Sequence, residues 1–90
     1  MMLDEAWALS PGVAVRPEPF GALVYHFVTR KLTFLKRPEL AEVVASLGEH
    51  RDVRSALVAA GVPEIEHPAY ASALAGLAEA DMICPQVAAA

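Results

Sequence analysis

The spacing of apolar residues changes at Pro38, from every second residue before it to every third or fourth residue after it. Alternation places successive side chains on opposite faces of a strand, whereas the longer spacing collects apolar side chains on one side of a helix. The first part of the chain is therefore predicted to form strands, and the second part to form helices. This order is typical of the α+β class.

Before Pro38, three β-prone segments are separated by turn signals rich in proline and glycine. They cover residues 13–16, 22–28 and 31–36. Segments of this length are typical of strands, and the middle one places apolar side chains on both of its faces. We therefore expect a three-stranded antiparallel meander whose central strand is covered on most of both faces.

After Pro38, apolar stripes and terminal residues predict three helices. Pro38 and Pro68 suit the first turn of a helix, and Asp52 suits an N-cap. Gly48 and Gly61 suit the ends of the first and second helices. The predicted stripes are Leu40, Val43, Val44 and Leu47 in the first helix, Val53, Ala56, Leu57 and Ala60 in the second, and Tyr70, Ala73, Leu74, Leu77 and Ala78 in the third.

The predicted organisation is one domain over residues 1–90, because a chain of 90 residues cannot supply two hydrophobic cores. Apolar residues make up 56% of the chain, far more than in a disordered segment. We place the ordered core at about residues 6–85, with a last extended piece at 82–85 and a frayed tail from Gln86 onward.

The net charge of -4 has the wrong sign for binding nucleic acid or an anionic membrane through the overall field. The longest stretch free of Asp, Glu, Lys and Arg is residues 67–78, shorter than the roughly 18 residues that a membrane-spanning helix needs. The acidic N-terminus is unlike a secretory signal, and one cysteine cannot form an internal disulfide. We expect a cytoplasmic protein without a membrane or nucleic-acid partner.

No group of residues in the sequence has the spacing of a catalytic or metal site. His26, His50 and His67 lack the helical spacing of metal ligands, and Cys84 has no partner in a Cys-x-x-Cys motif. The serines and glycines form neither a nucleophile elbow nor a phosphate-binding loop. We expect no enzyme activity, no metal and no cofactor, and we interpret His26 as a packed, hydrogen-bonded side chain.

A small sheet with three helices resembles a winged helix-turn-helix, a fold that often binds DNA through its last helix. Here the predicted third helix has no Lys or Arg, and Glu79 would repel phosphate. A DNA-binding regulator or antitoxin stays as the alternative function. The same helix carries small residues outside its stripe, which either let another chain approach closely or reflect helix propensity alone; they are Ala69, Ala71, Ala75 and Ala80.

Four of the seven basic residues flank the third β-prone segment, namely Arg30, Lys31, Lys36 and Arg37. In the simplest meander this segment is an edge strand with unpaired N–H and C=O groups. The cations would then either discourage aggregation between edges or attract an acid-rich peptide that adds as a further strand. A third hypothesis is a structural subunit whose apolar edge pairs with a second copy to give a homodimer.

Several runs of the sequence resemble one family of small peptide chaperones. They are PGVAVRPEPFGALVYHF at residues 11–27, RKLTFLK at 30–36, PAY at 68–70 and DMI at 81–83. These runs are similar to the MftB peptide chaperones of mycofactocin biosynthesis, and the resemblance covers about residues 6–85. Through that family the chain resembles the PqqD-like recognition elements for the precursors of ribosomally made, modified peptides.

The resemblance implies three antiparallel strands followed by three helices, and a non-catalytic role in binding the leader of the mycofactocin precursor peptide. The family presents that peptide to a radical S-adenosylmethionine maturase, which holds the iron–sulfur clusters and modifies the C-terminal Val-Tyr of the precursor. The leader would pair along the third strand and lie against the third helix. Carried onto this sequence, the peptide-binding region is Lys31, Leu32, Thr33, Phe34, Leu35, Lys36, Tyr70, Ala73, Leu74 and Leu77.

Overall fold

The computed structural model describes residues 2–86, which form five strands and three α-helices. The strands are β1 (Trp7–Leu9), β2 (Val13–Glu18), β3 (Gly21–His26), β4 (Leu32–Leu35) and β5 (Ile83–Pro85), and the helices are α1 (Pro38–Ser46), α2 (Val53–Ala59) and α3 (His67–Glu79). Strands β2, β3 and β4 form an antiparallel sheet in that order, and the three helices follow it. This arrangement confirms the predicted α+β fold, with the third predicted strand observed as β4.

The register of the larger sheet separates a buried inner face from an outer face. Val24 lies between Val15 and Thr33, and it is fully buried beneath α1. The alternate residues form the outer face, which consists of Ala14, Arg16, Glu18, Leu23, Tyr25, Leu32 and Phe34, with Phe27 just beyond the end of β3. Leu23 and Tyr25 are only half-buried there. No residue of β3 is exposed, in agreement with the prediction that most of both faces of the central strand are covered, whereas Phe27 and Val28 beyond its end are exposed.

The predicted apolar stripes of the helices form most of the core. Buried members of all three stripes pack with Val24 and Leu35 of the sheet. The Asp52 carboxylate accepts a hydrogen bond from the Ser55 backbone N–H at 2.8 Å, which confirms Asp52 as the N-cap of α2. Gly61 has a φ of 80°, the left-handed conformation that ends a helix.

Gly48 is not the C-cap of α1. The helix ends at Ser46, and Gly48 lies inside the 3₁₀ turn Leu47–Glu49 that follows directly. Leu47 continues the apolar stripe and is 1% exposed, so its burial holds the chain in a tighter turn. The turn closes with a hydrogen bond from the His50 backbone N–H to the Leu47 carbonyl at 3.2 Å.

A second, two-stranded sheet pairs residues 7–9 with residues 83–85, and its first strand, β1, was not predicted. β5 is the extended piece predicted near residue 83, and it pairs antiparallel with β1, with Leu9 opposite Ile83. Gln86 does not fray, because its side-chain amide lies 2.8–3.0 Å from the carbonyl oxygens of Trp7, Leu47 and His50. Residues 87–90, the rest of the predicted tail, lie outside the described part of the chain.

The packed core also includes residues before position 6. Leu3, in the 3₁₀ turn Met2–Asp4, is buried against α2 and α3. None of the helices within residues 2–86 is long and apolar enough to cross a membrane.

Candidate functional site

Strand β4 forms one edge of the larger sheet. The His26 backbone N–H donates to the Lys31 carbonyl at 3.0 Å. Since hydrogen-bonding directions alternate along an antiparallel strand, Thr33 and Leu35 direct their N–H and C=O groups toward β3. The corresponding groups of Leu32 and Phe34 therefore point away from the sheet, and they are available to a further strand.

An apolar groove of about 380 Å³ runs between the end of β4 and α3. It is lined by Phe34, Leu35, Lys36, Arg37, Leu40, Ala69, Tyr70 and Ala73. Ala69 and Ala73 lie one helical turn apart on the exposed side of α3. Because both side chains are small, the helix leaves space beside the strand edge. We call this space the edge groove.

Arg37 forms one end of the edge groove and links α1 to α3. It is the N-cap residue of α1, and its guanidinium carbon lies 5.7 Å from the centroid of the Tyr70 ring. Its Nη1 also lies 3.6 Å from the Glu66 carboxylate. These two contacts orient the guanidinium at this end of the groove, where the Glu66 carboxylate partly offsets its charge.

The structure brings together half of the site residues carried over from the resemblance, namely Phe34, Leu35, Lys36, Tyr70 and Ala73. Lys31, Leu32 and Thr33 lie farther along the same strand edge. Leu74 and Leu77 instead lie in the core, where they are 0% and 4% exposed.

Three residues of the edge groove, Arg37, Leu40 and Ala69, were absent from the predicted site. The sequence offered a signal for two of them. Arg37 is one of the cations that flank β4, and Ala69 is one of the small residues of α3 outside its apolar stripe. Leu40 had no such signal, because its position in the apolar stripe of α1 indicates only a core residue.

Two buried histidines of the described residues make hydrogen bonds within the fold. Within residues 2–86, no three His, Cys, Asp or Glu side chains lie close enough together to hold a metal ion. His26 is packed as predicted, because its Nδ1 accepts hydrogen bonds from the backbone N–H groups of Val28 and Thr29 at 3.2 and 3.4 Å. His67 is also buried and contacts the Val62 carbonyl through Nε2 at 3.0 Å.

Comparison with known proteins assigns the chain to a family. The model of the peptide chaperone MftB family matches residues 6–84, which include all five strands except Pro85 and all three helices. The chain belongs to the peptide chaperone MftB family. This family is non-catalytic, in agreement with the expectation drawn from the sequence.

Three relatives named peptide chaperone MftB are similar to this MftB-family chain over most of its length. The protein from Mycobacterium ulcerans is 58% identical over 85 residues, which cover 94% of this chain and 78% of the relative. The protein from Mycolicibacterium smegmatis is 55% identical over 82 residues, which cover 91% of this chain and 80% of the relative. The protein from Mycobacterium tuberculosis is 51% identical over 83 residues, which cover 92% of this chain and 76% of the relative. No solved structure matches the chain.

Proposed function

We propose that this chain binds the leader of the mycofactocin precursor peptide as an added strand on β4, and that it presents the peptide to a radical S-adenosylmethionine maturase. The observation that carries the proposal is that the free edge of β4 lies beside an apolar groove. Strand addition supplies affinity through main-chain hydrogen bonds, and neighbouring pockets supply specificity through alternate side chains. The edge and the groove meet both requirements.

In the proposed complex, the leader pairs with the backbone groups of Leu32 and Phe34, which point away from β3. Every second side chain of the leader then faces the edge groove and packs against Ala69 and Ala73 of α3. Leu74 and Leu77 support the groove from the core rather than contacting the peptide, because both are buried.

The cations around β4 favour an acidic leader. Lys31 and Lys36 are exposed immediately before and after the strand, and Arg37 stands at the end of the edge groove. Like charges on two copies would repel each other, so the same residues disfavour pairing of two β4 edges. Both of the roles considered for these cations therefore act together in this proposal.

The chemical modification belongs to the maturase in this proposal. The chaperone family is non-catalytic, and the family resemblance implies that the partner enzyme holds the clusters that the reaction needs. The chaperone binds and orients the peptide, in the cytoplasm where the precursor is synthesised. A homodimer is not required, since one edge and one groove of a single chain form the proposed site.

No structural observation favours the alternative of a DNA-binding regulator. The exposed side of α3 has alanines in place of the Arg, Lys, Asn or Gln side chains that read bases. This surface is suited to contact with apolar side chains of a peptide.

A pair of substitutions on α3 tests the proposal. Ala73→Phe fills the edge groove, whereas Ala75→Phe adds the same side chain at an exposed position of α3 outside the groove lining. Calorimetric titration with a synthetic leader should show at least about tenfold weaker binding for Ala73→Phe and little change for Ala75→Phe. Equal affinity of both variants and the unmodified chain would show that the peptide does not enter the groove.

A further inference from the structure

The outer face of the larger sheet is a second apolar surface, which shares Phe34 with the edge groove. Ala14, Arg16, Leu23, Tyr25, Phe27 and Leu32 surround a hollow of about 290 Å³ on this face. The Tyr25 and Phe27 rings contact each other edge to face, with centroids 4.9 Å apart. Phe27 is 58% exposed and Leu32 is 60% exposed. Exposed large apolar side chains that lie together on one face are typical of protein-binding surfaces.

Charge is divided unevenly between the sheet and the helices. Residues 6–38 carry five basic side chains and one acidic side chain, whereas the rest of the chain carries two basic and ten acidic side chains. Arg16 lies on the outer face itself, where its Nε is 4.0 Å from the Glu18 carboxylate, and its side chain is 81% exposed. Arg30 and Lys31 are exposed in the turn between β3 and β4. The outer face is therefore an aromatic surface with a positive border, on a chain that is negative overall.

This charge distribution identifies the kind of partner that fits the surface. A second copy of the chain would place the same cations against each other, because a two-fold interface brings identical patches together. A protein surface with apolar side chains bordered by carboxylates has the complementary charge.

Strand β4 connects the outer face to the peptide site. Leu32 and Phe34 belong to the outer face, and their backbone groups form the free edge. A strand added to that edge would place every second side chain on the outer face, next to these two residues. The bound peptide would thus enlarge the outer face, so that a partner docked there contacts chaperone and peptide together.

We infer that the outer face is the docking surface for the maturase, through an apolar patch of the enzyme bordered by carboxylates. This inference rests on the proposed function, since it concerns the enzyme to which the peptide is presented. The bound peptide adds its own side chains to the outer face. The maturase therefore binds the chaperone–peptide complex more tightly than it binds the chaperone alone, and by linkage it tightens peptide binding by the same factor.

Two substitutions on the outer face test the inference, each with a matched control. Phe27→Ser removes an exposed aromatic ring, and Ile65→Ser removes an apolar side chain that is 89% exposed outside the sheet. Arg16→Glu reverses the charge on the outer face, and Arg51→Glu does so at an exposed loop position. Binding of the purified, cluster-loaded radical enzyme and of the synthetic leader is measured separately for each variant.

We expect Phe27→Ser and Arg16→Glu to weaken enzyme binding by about tenfold and to change leader affinity by less than about twofold. The two controls should behave like the unmodified chain. If both outer-face variants bind the enzyme normally, the inference is wrong while the proposed function stands. If they lose the leader as well, the outer face belongs to the peptide site and the inference is again wrong. Failure of the unmodified chain to bind the leader, with or without enzyme, would instead overturn the proposed function.

Discussion

The carbonyl oxygen of Leu35 occupies the space that a Cβ atom on Gly21 would need. Gly21 begins β3 with a φ of 150°, a conformation that side-chain-bearing residues rarely adopt. The close approach fixes the end of β4 against the sheet, at the point where Leu35 and Lys36 line the edge groove. This glycine therefore supports the peptide site without touching the peptide.

Gly21→Ala should destabilise the protein by more than about 1 kcal/mol, because the substitution combines an overlap with backbone and an unfavourable φ. It should also weaken leader binding by displacing the end of β4. Gly76→Ala is the matched control, since Gly76 lies in α3 with open space around its Cβ position. That variant should be more stable than the unmodified chain by about 0.5–1 kcal/mol. Thermal unfolding of both variants checks the prediction, and destabilisation of equal size would contradict it.

Phe34→Asp should weaken leader binding by more than about tenfold, because it places an unpaired carboxylate at the strand edge and in the groove lining. The fold should survive, since Phe34 is 46% exposed. Val58→Asp makes the same kind of change at a residue of α2 that is 64% exposed, and it should leave binding unchanged. Circular dichroism and calorimetric titration distinguish loss of binding from loss of fold. A folded Phe34→Asp variant with normal affinity would rule out the proposed site.

Reversal of both lysines beside β4, Lys31→Glu with Lys36→Glu, should slow association with an acidic leader and flatten its dependence on salt. Exposed charges act mainly on the rate of encounter, and salt screens them. Stopped-flow measurements at several salt concentrations provide the readout, with Arg51→Glu as the single-charge control away from the site. If the association rate keeps its salt dependence in the double variant, these lysines serve only to prevent aggregation.

The N-cap of α2 should contribute to the pH dependence of stability. The hydrogen bond that the Asp52 carboxylate accepts from Ser55 lowers the pKa of Asp52 in the folded state. Its stabilising effect is therefore complete above the pKa of the unfolded chain, about 4, and is lost as the pH falls through the lower folded pKa. Asp52→Asn keeps a capping oxygen without the charge.

The Tm difference between the unmodified chain and Asp52→Asn should accordingly be largest near pH 7 and shrink below about pH 4. Asp52→Ala, which lacks the capping oxygen, should have a lower Tm than Asp52→Asn across this range. Thermal scans from pH 7 to pH 3 measure both differences. A Tm difference between the unmodified chain and Asp52→Asn that grows toward low pH would contradict this account of the cap.

The sequence allowed prediction of elements whose signals are local. The strands β2 to β4 and the three helices each have an apolar period within their own residues. The pairing of β1 with β5 could not be predicted, because Leu9 and Ile83 are far apart in sequence and each strand has only three residues. The spacing of apolar residues also could not separate the groove side of α3 from its core side. Ala73 and Leu74 are neighbours in one apolar helix, and only packing reveals that the first is exposed and the second buried.

Amide exchange along β4 tests the central claim most directly. In the free protein, the amides of Thr33 and Leu35 face β3 and should exchange slowly, whereas those of Leu32 and Phe34 face the open edge and should exchange fast. We predict that saturating synthetic leader slows exchange at Leu32 and Phe34 and shifts the resonances of Ala69 and Ala73. Leader binding that leaves the Leu32 and Phe34 amides unprotected would contradict strand addition to β4.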